Sequence, residues 1–310
     1  MIHFFSIIPR SYVLLFAIFI VSCTEKQNTP TEQMPKEEYT LAMIQMLVEA
    51  GDLQANLDRA ANRIAEAAAN GATIALLPEA MDLGWTDPSA RDLAFEIPEG
   101  KTCLALRKAA MLNGIYVCAG IIEKYDDKLY NAAVIIDPSG SVILQHRKIN
   151  ELDIAHDLYT LGDRLNVVPT PIGTLGLYIC ADATAPGNAL SNSLGLLGAD
   201  IILSPCAWAV PPDFDNEVTP YGDTWRNVYE PASSRYEIWI VGVSNVGKIK
   251  AGPWKDWDCI GSSLVYAPDG SEVLQAPFGA QADTIIYVDI DLKERPAWGT
   301  KWHEYWNSKK

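Results

Sequence analysis

The chain is poor in the residues that gather metals and nucleic acids. It has four histidines, His3, His146, His156 and His303, scattered through 310 residues, and no Cys-x-x-Cys. Neither a structural zinc site nor any other bound metal is expected. A glycine-rich phosphate loop is also missing, because the nearest candidate, "GTLGLY", lacks both the spacing and the lysine. Basic charge is scarce, with 24 Lys+Arg against 39 Asp+Glu. A surface of that sign repels phosphate backbones, which excludes nucleic acid as a partner. The apolar run near the N-terminus, "SYVLLFAIFIV", has 11 residues, well short of the about 20 that cross a bilayer.

That run follows Arg10 and ends in "IVSC", the order of a cleaved export signal. The ending resembles a bacterial lipobox, in which cleavage leaves a lipidated cysteine, here Cys23, at the mature N-terminus. An ordinary secretory signal or an uncleaved anchor are the alternatives. The expected organisation is a signal peptide over 1–22, a polar, proline-containing tether over 23–38, a globular body over 39–293 and an aromatic tail over 294–310. The mature protein is then exported and held on the periplasmic or cell-surface side of a bacterial membrane by its lipid alone. Loss of Arg10 leaves 23 Lys+Arg against 39 Asp+Glu, a formal charge of −16. Beyond Cys23 stand Cys103, Cys118, Cys180, Cys206 and Cys259. Five thiols cannot all pair, so at least one stays free within the chain.

From Tyr39 the pattern alternates strand and helix. "YTLAMIQMLV" is an apolar strand, "LQANLDRAANRIAEAAANG" an alanine-rich helix closed by Gly71, and "ATIALLPEA" a second strand. "NAAVIIDPSGSVILQHRK" predicts a hairpin turning at "DPSG". Two pairs of segments echo each other: "NGATIALLPE" with "LGADIILSPC", and "VIIDPSGSVILQ" with "LVYAPDGSEVLQ", at offsets of 127 and 130 residues. A duplicated αβ unit is expected, with two sheets back to back and helices outside. Strands buried on both faces are apolar throughout, as these are.

Three polar residues stand where such strands end: Glu79 in "LLPEAM", Lys148 in "QHRKIN" and Cys180 in "LYICADATAP". Strand ends on one side of a sheet form the crevice where α/β proteins place their chemistry. For Cys180, a strand running into a helix predicts a thiol whose pKa is lowered toward the thiolate. Cys206, Cys118 and Cys103 read as core. The order Glu79, Lys148, Cys180, with "LYNAAVIIDPSG", "LGADIILSPCAW", "SSRYEIWIVGVSNVG" and "GSSLVYAPDG", resembles the nitrilase, or carbon-nitrogen hydrolase, superfamily over about residues 39–293.

The resemblance implies a four-layer αββα sandwich and a hydrolase that breaks a non-peptide C–N bond through a cysteine thioester, with no cofactor. Cys180 is then the nucleophile and Glu79 the proton-transfer group, while Lys148 and the Ala181 N–H stabilise the oxyanion. Small amide or N-carbamoyl substrates are favoured. A nitrile hydrolase, an acyltransferase and a catalytically silent ligand-binding lipoprotein are the alternatives. Trp85 and Trp208 fall where the family lines its substrate pocket. Trp298, Trp302 and Trp306, spaced by four, share one helical face that suits a partner subunit, so a homodimer or larger homo-oligomer is expected. The chain departs from the family after the lysine. A second glutamate is usual there, but in "INELDIAHDLYTLG" the counted position holds Ala155 or His156. Glu151, three residues past Lys148, and His156 are the two candidates for the supporting role.

Overall fold

The computed structural model describes residues 38–293 and 299–309. The proposed signal, Cys23, most of the tether and Trp298 lie outside them. Strand β1 (Glu38–Gln45) leads to helix α1 (Leu53–Ala69), β2 (Ile74–Leu76), the short α2 (Ala90–Leu93), α3 (Lys101–Asn113), β3 (Tyr116–Tyr125), β4 (Lys128–Ile136) and β5 (Val142–Arg147). The second half runs β6 (Val167–Thr170), β7 (Gly173–Leu177), α4 (Ala189–Leu197), β8 (Ile201–Cys206), β9 (Ala209–Val210), α5 (Asp223–Tyr236) and β10 (Trp239–Ser244). It continues through β11 (Val246–Lys248), β12 (Asp258–Ile260), β13 (Leu264–Tyr266), β14 (Glu272–Gln275), β15 (Thr284–Asp291) and α6 (Trp302–Asn307).

Two six-stranded sheets carry the order β15-β1-β2-β3-β4-β5 and β14-β13-β10-β8-β7-β6, and β11-β12-β9 form a small third sheet. In the first, β1, β2 and β3 are parallel and β4, β5 and β15 antiparallel to their neighbours. The second repeats this, with β7, β8 and β10 parallel and β6, β13 and β14 antiparallel. The echoed segments therefore occupy equivalent places: β2 matches β8, and the β4–β5 hairpin matches β13–β14.

Packing explains the apolar strands. In β1, Tyr39, Leu41 and Met43 enter the core shared by the two sheets. Their neighbours Ala42 and Ile44 enter a second core under α1 and α3. Successive side chains point to opposite faces, so a strand apolar at every position is buried on both. Helix α1 supplies Leu53, Leu57, Ala60, Ile64 and Ala67 to that second core, the periodicity of one helical stripe. Across the sheets, Leu194 of α4 and Trp225, Tyr229 and Tyr236 of α5 close the opposite side. The layers run helices, sheet, sheet, helices. No described helix is long and apolar enough to cross a membrane.

Candidate active site

Glu79 lies three residues past β2, Lys148 directly past β5, and Cys180 three past β7. The chain after β2 crosses between the sheets, where the Glu79 N–H donates to the Cys206 carbonyl at 3.1 Å and the Gly120 N–H to the Pro78 carbonyl at 3.0 Å. A Cβ on Gly120 would stand 2.5 Å from the Glu79 Cα, so only glycine lets β3 pass this close. Glu79, Lys148 and Cys180 line one cavity of about 220 Å³, together with Ala181, Trp85 and Trp208. All six are buried.

The Lys148 ammonium bridges two carboxylates, donating to Glu79 Oε1 at 2.8 Å and Glu151 Oε1 at 2.9 Å. Asn131 Nδ2, from β4, donates to the same pair, at 2.6 Å to Glu79 and 2.7 Å to Glu151. Of the two candidates in the loop, Glu151 is therefore the one brought to the lysine. His156 caps a 3-10 turn over Asp153–Ala155 and is exposed. Counting back from Tyr159 misplaces the carboxylate because the chain turns tightly straight after Lys148.

That turn is held by Asp182, two residues past the cysteine. Its carboxylate accepts from the Ile149 and Asn150 N–H groups at 3.0 and 2.7 Å, and from the Ile179 N–H at 2.9 Å. His146, two residues before the lysine, completes it through Nε2 at 2.8 Å. One buried carboxylate thus ties the lysine loop to the cysteine turn. Burial opposes its charge, but His146 and the backbone donors hold its pKa below the usual aspartate value.

The expectation for the thiol needs correction. Cys180 opens a five-residue 3-10 segment, Cys180–Thr184, and the α-helix starts only at Ala189. No long helix dipole faces the sulfur. Burial, hydrogen bonding with Cys206 and the charge of Glu79 raise the Cys180 pKa well above the usual thiol value, against the pull of Lys148. These influences favour the protonated thiol. Its backbone sits at φ +44°, a left-handed conformation that costs a non-glycine residue roughly 1–3 kcal/mol and marks an over-determined position. Cys206 is fully buried, its thiol directed to the Ser204 carbonyl at 3.2 Å, and Cys103, Cys118 and Cys259 are also buried and free.

The carboxylate beside this thiol is tuned to receive a proton. Burial pushes the Glu79 pKa up, and although Lys148 draws it down, Glu151 adds to the rise and the net shift is upward. Burial also opposes charge on Lys148, but Glu79 and Glu151 hold its proton and leave its pKa well above that of a free lysine. Aromatic rings build the remaining wall. Trp208 stacks on Trp225 at 4.7 Å, and Trp85 tilts against Trp254 at 4.8 Å. Tyr221, Leu152, Thr184 and Ala209 also line the cavity. Asn131, His146 and Asp182 were not singled out by the sequence reading, although Asn131 and Asp182 are polar residues in otherwise apolar stretches; His146 is masked by the polar run "QHRK". Trp225 and Trp254 gave no signal at all. Among the described residues no cluster of His, Cys, Asp or Glu is placed to hold a metal ion.

Residues 40–300 match the carbon-nitrogen hydrolase family. The chain is 34% identical to a nitrilase of Pyrococcus abyssi over 256 residues, covering 81% of this chain and 89% of that one. It is 29% identical to an omega-amidase of Mus musculus over 266 residues, covering 83% and 90%. A carbon-nitrogen hydrolase from Helicobacter pylori superposes with a TM-score of 0.73 at 20% identity, covering 82% of this chain and 89% of that one. The protein belongs to the carbon-nitrogen hydrolase family and has its layered α/β fold. It is an enzyme that hydrolyses carbon–nitrogen bonds.

Proposed function

We propose that the protein hydrolyses a small amide or N-carbamoyl compound, with Cys180 as nucleophile, Glu79 as the proton-transfer group and Lys148 as the oxyanion-stabilising cation. The single observation that carries this is the shared cavity, in which a neutral thiol, a carboxylate of raised proton affinity and a fixed ammonium meet. As the sulfur attacks the carbonyl carbon, Glu79 takes the thiol proton. The developing oxyanion is stabilised by Lys148 and the Ala181 N–H. Glu79 then gives its proton to the departing amine, the C–N bond breaks and a thioester remains. Water attacks that thioester with Glu79 as base, releasing the acid and restoring the thiol. Glu151 and Asn131 hold the lysine and Glu79 in register throughout.

The order of Arg10, the apolar run and "IVSC" supports export with lipid attachment at Cys23. The exposed rings of Trp302, Tyr305 and Trp306 support contact with a second copy of the chain. The test of the chemistry is ammonia release from a panel of amides, ureides and nitriles. Cys180→Ala abolishes turnover with the fold intact, whereas Cys206→Ala keeps most of it; substantial turnover by Cys180→Ala refutes the assignment.

A further inference from the structure

We infer that the acyl half of the substrate is an uncharged, flat, apolar group of about the size of a benzene ring. This rests on the hydrolytic reading of the same cavity and narrows it to a substrate class. The first observation is size and surface. The cavity holds about 220 Å³, and an apolar cavity of roughly 150 Å³ takes a benzene ring. The remainder accommodates the amide beside Cys180. Most of the cavity wall is apolar, with Trp85, Trp208, Tyr221, Trp225, Trp254 and Leu152 beside the small Thr184 and Thr224.

These rings are pre-positioned by one another, so little ordering is left for the ligand to impose. Trp208 and Trp225 lie only 21° from parallel. Trp254, which meets Trp85, is itself stacked on Trp257 at 4.6 Å and 6°. Tyr221 accepts the Trp225 indole N–H at 2.9 Å, fixing both rings. A cavity walled by rings already packed on one another offers broad, fixed apolar faces, which favour a planar apolar group over a flexible polar one.

The second observation is charge. The carboxylate and ammonium lining the cavity belong to Glu79 and Lys148, and Lys148 is already bonded to both Glu79 and Glu151. A carboxylate on the acyl group finds no unengaged cation in this wall, only the neutral, unpartnered indole N–H groups of Trp85 and Trp208, and lies near two carboxylates that share one ammonium. An uncompensated buried charge of that kind is strongly unfavourable. A cationic acyl group gains from the rings, but Glu79, the one carboxylate at the wall, is committed to Lys148. Neither sign of charge is accommodated as well as none.

The experiment compares phenylacetamide, succinamate and the cationic trimethylammonioacetamide as substrates of the wild-type enzyme. The expected kcat/KM for phenylacetamide exceeds that for either charged amide by at least about 10²-fold. Comparable or higher values for a charged amide overturn the inference. Thr224 lines the same cavity and is exposed, so Thr224→Arg places a cation at its edge. This variant raises the succinamate rate relative to phenylacetamide; an unchanged ratio also overturns the inference. Calorimetric binding of the three amides to Cys180→Ala separates pocket from chemistry. Selective binding of phenylacetamide without turnover by the wild type leaves the pocket reading standing and refutes the hydrolytic assignment, whereas no preference in binding refutes the pocket reading.

Discussion

Replacing Glu151 by glutamine tests the least expected member of the site. The side chain keeps its shape, but its surroundings are all donors: Lys148 Nζ and the Leu152 N–H meet Oε1, and Asn131 Nδ2 meets Oε2. A glutamine amide must turn its NH₂ toward one of them. If Asn131 flips to present its buried, unpartnered Oδ1 instead, it withdraws the donor that now holds Glu79. At an effective dielectric of about 20, two unit charges roughly 4 Å apart interact by about 4 kcal/mol. The lost carboxylate therefore alters both Lys148 and Glu79 substantially.

Misplacement of such groups by about 1 Å costs on the order of 10²-fold in rate, and kcat and kcat/KM fall together when the lost interaction belongs to the transition state. The pH profile supplies a second readout. Glu151 raises the Glu79 pKa more than Asn131 lowers it, so loss of both influences moves the Glu79 pKa down. The acid limb of kcat/KM, which reports ionisation of that base, shifts to lower pH in Glu151→Gln. His156→Gln, on the exposed turn, leaves rate and profile unchanged. Wild-type turnover by Glu151→Gln, an acid limb moving to higher pH, or equal loss in His156→Gln refutes the reasoning.

Four further outcomes are expected. Gly120→Ala, whose Cβ meets the backbone of Pro78 and Glu79, destabilises by roughly 1–3 kcal/mol in urea unfolding. It also reduces ammonia release more than a comparably destabilising change far from the site. Asp182→Asn leaves donors facing a donor and costs about 1–3 kcal/mol by the same assay. Because the folded pKa of Asp182 is depressed, its contribution is present above the unfolded aspartate value of about 3.9 and is lost as pH falls through the folded value; the difference between wild type and variant narrows over that range. On the proposed lipid attachment, Cys23→Ser moves the protein from the detergent-extracted membrane fraction to the soluble one, and unchanged retention refutes that attachment in favour of an uncleaved anchor. Trp302→Ser combined with Trp306→Ser lowers the mass found by light scattering if the aromatic tail joins two copies.

The sequence carried the architecture because strand burial leaves a plain mark. A run such as "LAMI" in β1 is apolar at every position only if both faces are covered, and the two echoed segments located the equivalent strands of the two sheets. Glu79, Lys148 and Cys180 were visible for the complementary reason, as polar residues ending such strands. Glu151 was harder. Its place depends on a turn set by Asp182 accepting from the Ile149 and Asn150 N–H groups, a contact across 32 and 33 residues that no local pattern encodes. The thiol's protonation state was hidden similarly, since it follows from burial and Glu79 rather than from the strand-to-helix text around it. Trp254 reaches the cavity from the segment between β11 and β12, beyond the reach of periodicity.

A nucleophile that keeps its proton until it is used has a bearing on endurance. Peroxides attack thiolates, not thiols, and the first oxidation product proceeds irreversibly once it passes the sulfenic stage. A permanently ionised Cys180 would be consumed between turnovers wherever oxygen chemistry is active. Held as a thiol and largely buried, Cys180 offers peroxide little thiolate to attack, and its proton passes to Glu79 only as the sulfur attacks the substrate carbon.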